Sequence, residues 1–328
     1  MSSFLDYVCL VTGASRGIGK GIALSLADLK ATIYITGRTL GSGKDTKGSL
    51  EETAAEITAR GGKPIPVVVD HSKEDEIFQL FERIQREQRG RLDVLVNNAY
   101  AAVPFLLKHN GMTYYEIEDC TPGEAWDTVN DVGLRNHYIC ATLATRMMLK
   151  GRDASMPPGL IVNISSMGGK RYLFNTAYGV GKAAMDRMAS DMAFELKRRK
   201  ANICIISLWP GIVRTEHLSS ASGTNISWNM SDNTISESPE LSGRVIAALV
   251  SESPRKLMAR SGEVVLVCDV AHEYGIREPE GNWPPNYRSL QLLMRLGGYN
   301  RLSAFVPGFI RLPKSTFMNF VAWHAEPT

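Results

Sequence analysis

The chain has 328 residues, 44% hydrophobic and 22% charged, the balance of a globular protein with a substantial core. Its net charge of +3 is too small to argue for nucleic acid as a partner. The five cysteines (Cys9, Cys120, Cys140, Cys204 and Cys268) are odd in number and scattered without a CxxC pair, which favours reduced thiols in a cytosolic compartment over disulfides or a metal site.

The N-terminus, MSSFLDYVCLVTG, has no basic segment and its apolar run leads straight into a glycine motif, so it reads as a strand and not as a signal peptide. No apolar run approaches the roughly 20 residues of a membrane-spanning helix. Along the chain YVCLV, TIYIT, PIPVVV, LDVLV, GLIVNIS, NICIISL and EVVLV are strand candidates, most of them separated by amphipathic helical stretches. That alternation predicts an α/β fold, a doubly wound parallel sheet with helices on both faces.

After the first strand comes TGASRGIGK, Thr12 to Lys20, with glycines at 13, 17 and 19. Glycines between a strand and a helix allow a tight turn and close backbone approach to a phosphate, and the helix N-terminus offers free amides to its charge. The second strand ends in Gly37, Arg38 and Thr39, with no carboxylate until Asp45. An acidic residue there would bind the ribose of NAD, whereas arginine accommodates the extra phosphate of NADP. The expected cofactor is therefore NADP(H), read by Arg38 with help from Arg16. Asp70, at the end of VVVDHS, could accept from an adenine amino group or cap the next helix, and Asn97, Asn98 and Ala99 end the fourth strand at the same crevice.

Thr121, Pro122 and Glu124 form a capping-box pattern, so a helix is predicted from there through AWDTVNDVGLRNHYICATLATRMML. Next, GLIVNIS ends in Ser165 and Ser166, placed to donate to a carbonyl oxygen. In the helical stretch that follows, Tyr178 and Lys182 share a face at a spacing of four. The ammonium is expected to lower the tyrosine pKa and make it a usable general acid or base. Gly179 and Gly181 lie between them, each costing a helix about 1 kcal/mol, which suggests that cofactor or backbone approaches closely there.

Together, TGxxxGxG, NNA, the serine at a strand end, YxxxK and the Pro210–Gly211 pair resemble the short-chain dehydrogenase/reductase family over about residues 5 to 270. The resemblance implies a single Rossmann-like domain and hydride transfer between a nicotinamide and a carbonyl or alcohol carbon. By it, Tyr178 is the proton donor in reduction, Lys182 lowers its pKa and holds the nicotinamide ribose, and Ser166, rather than Ser165, orients the carbonyl. It also carries Gly13, Ser15, Arg16, Gly17, Ile18, Gly19, Arg38, Asp70, Asn97, Asn98, Ala99, Tyr178, Lys182, Pro210, Gly211, Val213 and Thr215 over as cofactor-binding positions. One position departs: DVGLRNHY has Gly133 where the family commonly has an asparagine that relays protons to the lysine, with Asn130 one turn earlier as a substitute.

Residues 216–240 are polar and serine-rich and read as a substrate lid, with Trp228 and Met230 to close on an apolar carbonyl compound. The domain expected at 1–275 is followed by an extension at 276–328. From Gly281 to Ala325 it has no acidic residue, but has Arg288, Arg295, Arg301, Arg311 and Lys314 among Leu290, Leu293, Leu296, Phe305, Phe309, Ile310, Phe317, Phe320 and Trp323. Such a surface fits peripheral contact with an anionic bilayer, or a segment folded onto the domain or onto a dimer partner. The corresponding location is cytoplasmic, with attachment to the cytosolic face of the endoplasmic reticulum, and the family resemblance implies a homodimer. The function expected is NADPH-dependent reduction of apolar ketones or aldehydes, steroid-like or xenobiotic. Gly133 and the tail support a different class, a nucleotide-binding regulatory or membrane-associated scaffold with little turnover.

Overall fold

The structure is a computed structural model that describes residues 7–41, 48–152, 155–216 and 234–322. All seven predicted strands form: β1 (Val8–Val11), β2 (Thr32–Gly37), β3 (Lys63–Val68), β4 (Val94–Asn97), β5 (Gly159–Ile164) and β6 (Ile203–Trp209), then, after the short β7 (Ile212–Val213) and β8 (Ser236–Glu237), β9 (Val264–Leu266). They pair in parallel in the order β3-β2-β1-β4-β5-β6-β9, and β7 and β8 make a separate two-stranded sheet.

Alternate side chains of a strand point to opposite faces, and here both faces are apolar. Cys9, Val11, Ile33, Ile35, Val96, Val162 and Ile206 pack on one side with α1 (Gly17–Ala27), α2 (Leu50–Ala59) and, from beyond β8, the helix Pro239–Val250. Leu10, Tyr34, Leu95, Ile161 and Ile205 pack on the other with α3 (Glu74–Glu87) and with the helices Asn136–Gly151 and Thr176–Arg198. Strand order reverses between β1 and β4, so the connections leave to opposite sides there and open a crevice at the strands' carboxyl ends.

Between β4 and β5 run α4 (Val103–Lys108), α5 (Pro122–Asn130) and α6 (Asn136–Gly151). Thr121 caps α5 in a full capping box with Glu124. The sequence pattern reads α5 and α6 as one helix, but Val132 (φ −105°, ψ 97°) and Gly133 (φ 142°, ψ −18°) break it. A φ of 142° is open to glycine and unfavourable for a residue with a Cβ. The remaining helices are α7 (Thr176–Arg198), α8 (Pro239–Val250), α9 (Pro254–Ala259), α10 (Val267–Glu273), α11 (Leu290–Leu296), α12 (Asn300–Ser303) and α13 (Lys314–Ala322).

The segment after α10 folds back: Tyr287, Leu292, Phe317 and Val321 bury against Trp209, Leu266 and Cys268. A cavity of about 550 Å³ lies between it and the β9–α10 corner, lined by Asp269, Arg288, Arg311 and Lys314 among others, away from Tyr178. All five cysteines are free.

Candidate active site

The turn from β1 into α1 is tied to the end of β4. Thr12 Oγ1 accepts from the N–H groups of Asn98 and Ala99 (2.9 and 3.0 Å), and Asn98 Nδ2 donates to the carbonyls of Thr12 and Gly13 (both 2.9 Å). A Cβ on Gly19 would stand 2.3 Å from that Gly13 oxygen and 2.4 Å from Asn98 Nδ2, so the close packing demands glycine. At the N-terminus of α1 the Gly17 N–H, with φ at 57°, donates to Glu216 Oε2 at 3.0 Å. A carboxylate therefore occupies the place where a helix start binds anions, the position expected for a dinucleotide phosphate, and the loop fits such a group. Glu216 belongs to the segment after β6, and Thr215 Cγ2 lies 3.4 Å from where a Gly17 Cβ would be. Ser15 and Ile18 flank this turn, Ile18 packing on the core beneath it.

Arg38 is exposed at the end of β2, and Arg16 Nη2 donates to the Gly48 carbonyl at 3.1 Å. Asp70 lies within the influence of Arg38. Burial works against its charge, but hydrogen bonds from the Ser72 N–H and hydroxyl, with the Arg38 charge, hold its carboxyl below the usual range. Asp70 thus caps a local turn at Ser72, while α3 begins after Lys73. Asn97 departs from expectation: it is fully buried, and Nδ2 donates to His137 O (3.2 Å) and Asn163 Oδ1 (2.9 Å). The pleat turns it into the sheet, where it joins β4 to β5 and α6, and leaves the crevice rim to Asn98 and Ala99.

Asn175 caps α7 by accepting from the Tyr178 N–H (2.9 Å), which starts the helix just before the tyrosine. The Tyr178 ring lies edge-on to Phe174 (5.1 Å between centroids) and Tyr100 (6.2 Å). Ser166 lies close enough to the Tyr178 hydroxyl to favour its charged form, and its Oγ accepts from Gly168 N–H (3.1 Å), whereas Ser165 Oγ donates to the Lys182 carbonyl (3.3 Å). Lys182 is buried and its Nζ donates to Ile164 O at 3.1 Å. Serine, tyrosine and lysine therefore meet at the carboxyl end of β5.

The electrostatics differ from the sequence expectation. Burial pushes the Tyr178 hydroxyl up to about 12, opposed by the hydrogen bond from Ser166, and pushes Lys182 down to about 8, opposed by the charge of Asp186. Desolvation disfavours both charged forms and is the largest influence on each.

Three residues of the site, Asp186, His137 and Tyr100, escape motif reading, and Asn130, the substitute expected for the family asparagine, packs beside them. Asp186, one turn beyond Lys182, accepts from Ser207 Oγ (2.5 Å) and Trp209 Nε1 (3.0 Å); its spacing of four from Lys182 is a signal that was there to use. His137 donates from Nε2 to the Ala99 carbonyl (3.0 Å) and is held neutral, its pKa driven down to about 3 by burial and the Lys182 charge. Asn130 Nδ2 donates to Ala177 O (3.3 Å), and its Oδ1 sits 2.1 Å from where a Gly181 Cβ would be, so the glycine inside YGVGK makes room for α5. Tyr100 packs on Gly133 and faces Lys182.

Pro210 and Gly211 follow β6. Gly211 N–H donates to Glu237 Oε2 (2.9 Å), the Ile212 N–H to the Tyr287 hydroxyl (2.7 Å), and Tyr287 in turn to the Ile235 carbonyl (2.8 Å). Val213 lies buried in β7. Tyr287 thereby ties residue 212 to residue 235. Trp228 and Met230 lie outside the described residues. Among the described residues no group of three or more His, Cys, Asp or Glu side chains could hold a metal ion, and no helix is long and apolar enough to cross a membrane.

Residues 7–225 match the family model described as short chain dehydrogenase. Among curated proteins, the chain is 43% identical to dehydrogenase/reductase SDR family member 1 of Mus musculus and 44% identical to the Homo sapiens protein, each over 315 residues that cover 94% of both partners. Among solved structures, a short chain dehydrogenase of Mycobacterium thermoresistibile superposes with a TM-score of 0.65 at 23% identity, covering 85% of this chain and 91% of that one, a likeness of fold.

Proposed function

The chain belongs to the short-chain dehydrogenase family of oxidoreductases, and we propose that it is an NADP(H)-dependent reductase of apolar ketones or aldehydes. The observation that carries this reading is the convergence of Ser166, Tyr178 and Lys182 at the end of β5, beside a glycine turn whose helix amide already holds a carboxylate. Residues 1–275 are read as the domain that binds cofactor and substrate, with 216–240 as its lid and 276–328 as the extension.

The nicotinamide, when bound, supplies the hydride. Gly13, Ser15, Gly17, Ile18 and Gly19 would hold the diphosphate, at the place the Glu216 carboxylate takes on the Gly17 amide. Arg38 and Arg16 would meet the 2′-phosphate, Asp70 the adenine, and Asn98, Ala99, Pro210, Gly211, Val213 and Thr215 the nicotinamide half. Ser166 donates a hydrogen bond to the substrate carbonyl oxygen and Tyr178 donates the proton that oxygen needs as it becomes an alcohol. Lys182, charged below about pH 8, favours the phenolate left behind.

Oxidation of NADPH against a panel of apolar ketones, aldehydes and quinones tests the reading, beside NADH and the Tyr178→Phe protein. Turnover that Tyr178→Phe abolishes, with a preference for NADPH that Arg38→Leu erodes, supports it. NADPH binding without turnover on any carbonyl would favour the regulatory scaffold instead.

Two further parts of the reading concern surfaces. Tyr138 and Leu149 on α6 and Val180 and Phe194 on α7 are exposed, which suits a homodimer built on these helices. On the extension Phe305 and Phe309 are 85% and 79% exposed, with Leu302 and Tyr299 nearby and Arg301 among them. That face suits contact with an anionic bilayer such as the cytosolic leaflet of the endoplasmic reticulum. Sedimentation with anionic vesicles checks it: Phe305→Ser/Phe309→Ser should lose binding that the native chain shows.

A further inference from the structure

We propose that Tyr100 is a positioning residue for Lys182: its ring, seated in the space that Gly133 leaves open, faces the ammonium and holds it beside Tyr178. Lys182 Nζ is 4.8 Å from the centroid of the Tyr100 ring and 5.8 Å from that of Tyr178, so the ammonium lies nearer the ring of Tyr100 than that of the tyrosine it assists. A buried ammonium needs compensation for lost water, and a ring face within about 6 Å supplies it electrostatically.

The other groups around Lys182 leave that role open. Asp186, on the same helix, favours the ammonium by its charge but gives its oxygens to Ser207 and Trp209. His137 on α6 is neutral, its Nε2–H committed to the Ala99 carbonyl. The Ile164 carbonyl on β5 accepts one N–H, and Tyr178 presents an uncharged phenol. The approach from the end of β4 is filled by Tyr100.

The backbone fixes the ring there. Ala99 N–H donates to Thr12 Oγ1 and its carbonyl accepts from His137, and Ala101 N–H reaches the Val132 carbonyl at 3.4 Å. That last bond joins the strand end to the break between α5 and α6. At the break a Cβ on Gly133 would stand 2.4 Å from Tyr100 Cδ2 and 2.6 Å from Cε2, distances no side chain tolerates. Glycine at 133 is therefore the condition for the ring's place. Where the family resemblance leads one to expect an asparagine, the room is taken by an aromatic ring from another element. The Tyr100 hydroxyl is buried without a hydrogen-bond partner among the described residues, so it is the ring that Tyr100 brings to Lys182.

The proposal rests on reading Lys182 as the group that assists Tyr178, but its test needs neither cofactor nor substrate. The pH titration of Lys182 is followed by NMR of the ¹⁵N-labelled Nζ groups, with Lys182→Arg to assign the signal. Tyr100→Phe, which keeps the ring, should titrate with the native protein, and Tyr100→Leu should bring the midpoint down by roughly one pH unit. Gly133→Ala, which displaces the ring with Tyr100 itself left in the sequence, should lower it similarly, and Tyr100→Leu/Gly133→Ala no further. Gly123→Ala, on the same helical stretch but facing open space, should leave it unmoved. A Tyr100→Leu or Gly133→Ala midpoint equal to the native one would overturn the proposal. Absence of carbonyl turnover in the native protein would overturn the reductase reading alone.

Discussion

Tyr178 and Lys182 share a face of α7 because four residues bring a helix back to nearly the same side, and the pH dependence of the chemistry follows from how deeply both are buried. With its hydroxyl pushed up to about 12, Tyr178 stays protonated across the neutral range, as a proton donor must, while Lys182 loses its charge near pH 8. Carbonyl reduction should therefore fall as pH rises through about 8, and this limb belongs to the lysine. Asp186 favours the ammonium, so Asp186→Asn should move the limb to lower pH in a kcat/KM profile; an unmoved limb would take the assignment away from Lys182. Tyr178→Phe should lower kcat by about 10²- to 10⁴-fold, the usual worth of a placed general acid. At this scale the sequence was readable where function sits in a short motif: the spacing of Tyr178 and Lys182, Ser166 at a strand end, the glycine turn. It was unreadable where the contact joins distant segments. Nothing local to Tyr100 or Gly133 says that one fills the room left by the other, and the depth of burial that sets the tyrosine and lysine pKa values belongs to the assembled pocket.

Among the elements, the strands were legible because a parallel sheet buried on both faces requires short, continuous β-branched runs, and each run forms a strand. The start of α5 was legible from Thr121, Pro122 and Glu124. Its end was not, because the helical pattern continues through Val132 and Gly133, and a glycine does not declare a positive φ. Nor do β7 and β8, two residues each, leave a periodic trace. The glycines of α7 are more informative than helix propensity suggests. Alanine for glycine in a helix interior ordinarily stabilises by about 1 kcal/mol, but at 181 the new Cβ would meet Asn130 Oδ1, itself buried at the end of α5. Gly181→Ala should instead destabilise by about 1–3 kcal/mol, as overpacking does, and Asn130→Ala in the same chain should recover part of the loss. Thermal unfolding of the two variants decides the sign; a raised melting temperature for Gly181→Ala would mean that α5 does not press on α7.

Across the whole molecule, the segment after α10 braces the turn that follows β6. Its Tyr287 lies against Gly211 and bonds to Ile212 and Ile235, and its Phe317 and Val321 bury with Trp209. The sequence left folding onto the domain and membrane contact as rival readings of the same residues. The structure buries Phe317 against the domain and leaves Phe305 and Phe309 exposed. Glu237, buried beside this brace, has its carboxyl pushed up to about 8, chiefly by desolvation, against 4.5 for a free carboxyl. Between those values the folded chain binds the extra proton, so this group's contribution to stability is complete below about pH 4.5 and lost as pH rises through 8. Glu237→Gln keeps an acceptor for the Gly211 N–H and should flatten that decline in denaturant unfolding measured from pH 5 to 9; parallel native and variant curves would place the carboxyl in water. The central claim, that the Ser166–Tyr178–Lys182 constellation is a working hydride-transfer site, is tested most directly with NADPH deuterated at the nicotinamide C4 and a panel of apolar ketones. The account predicts deuterium on the carbinol carbon of the product, formed by the native chain and not by Tyr178→Phe; bound NADPH whose label never reaches a substrate carbon would contradict it.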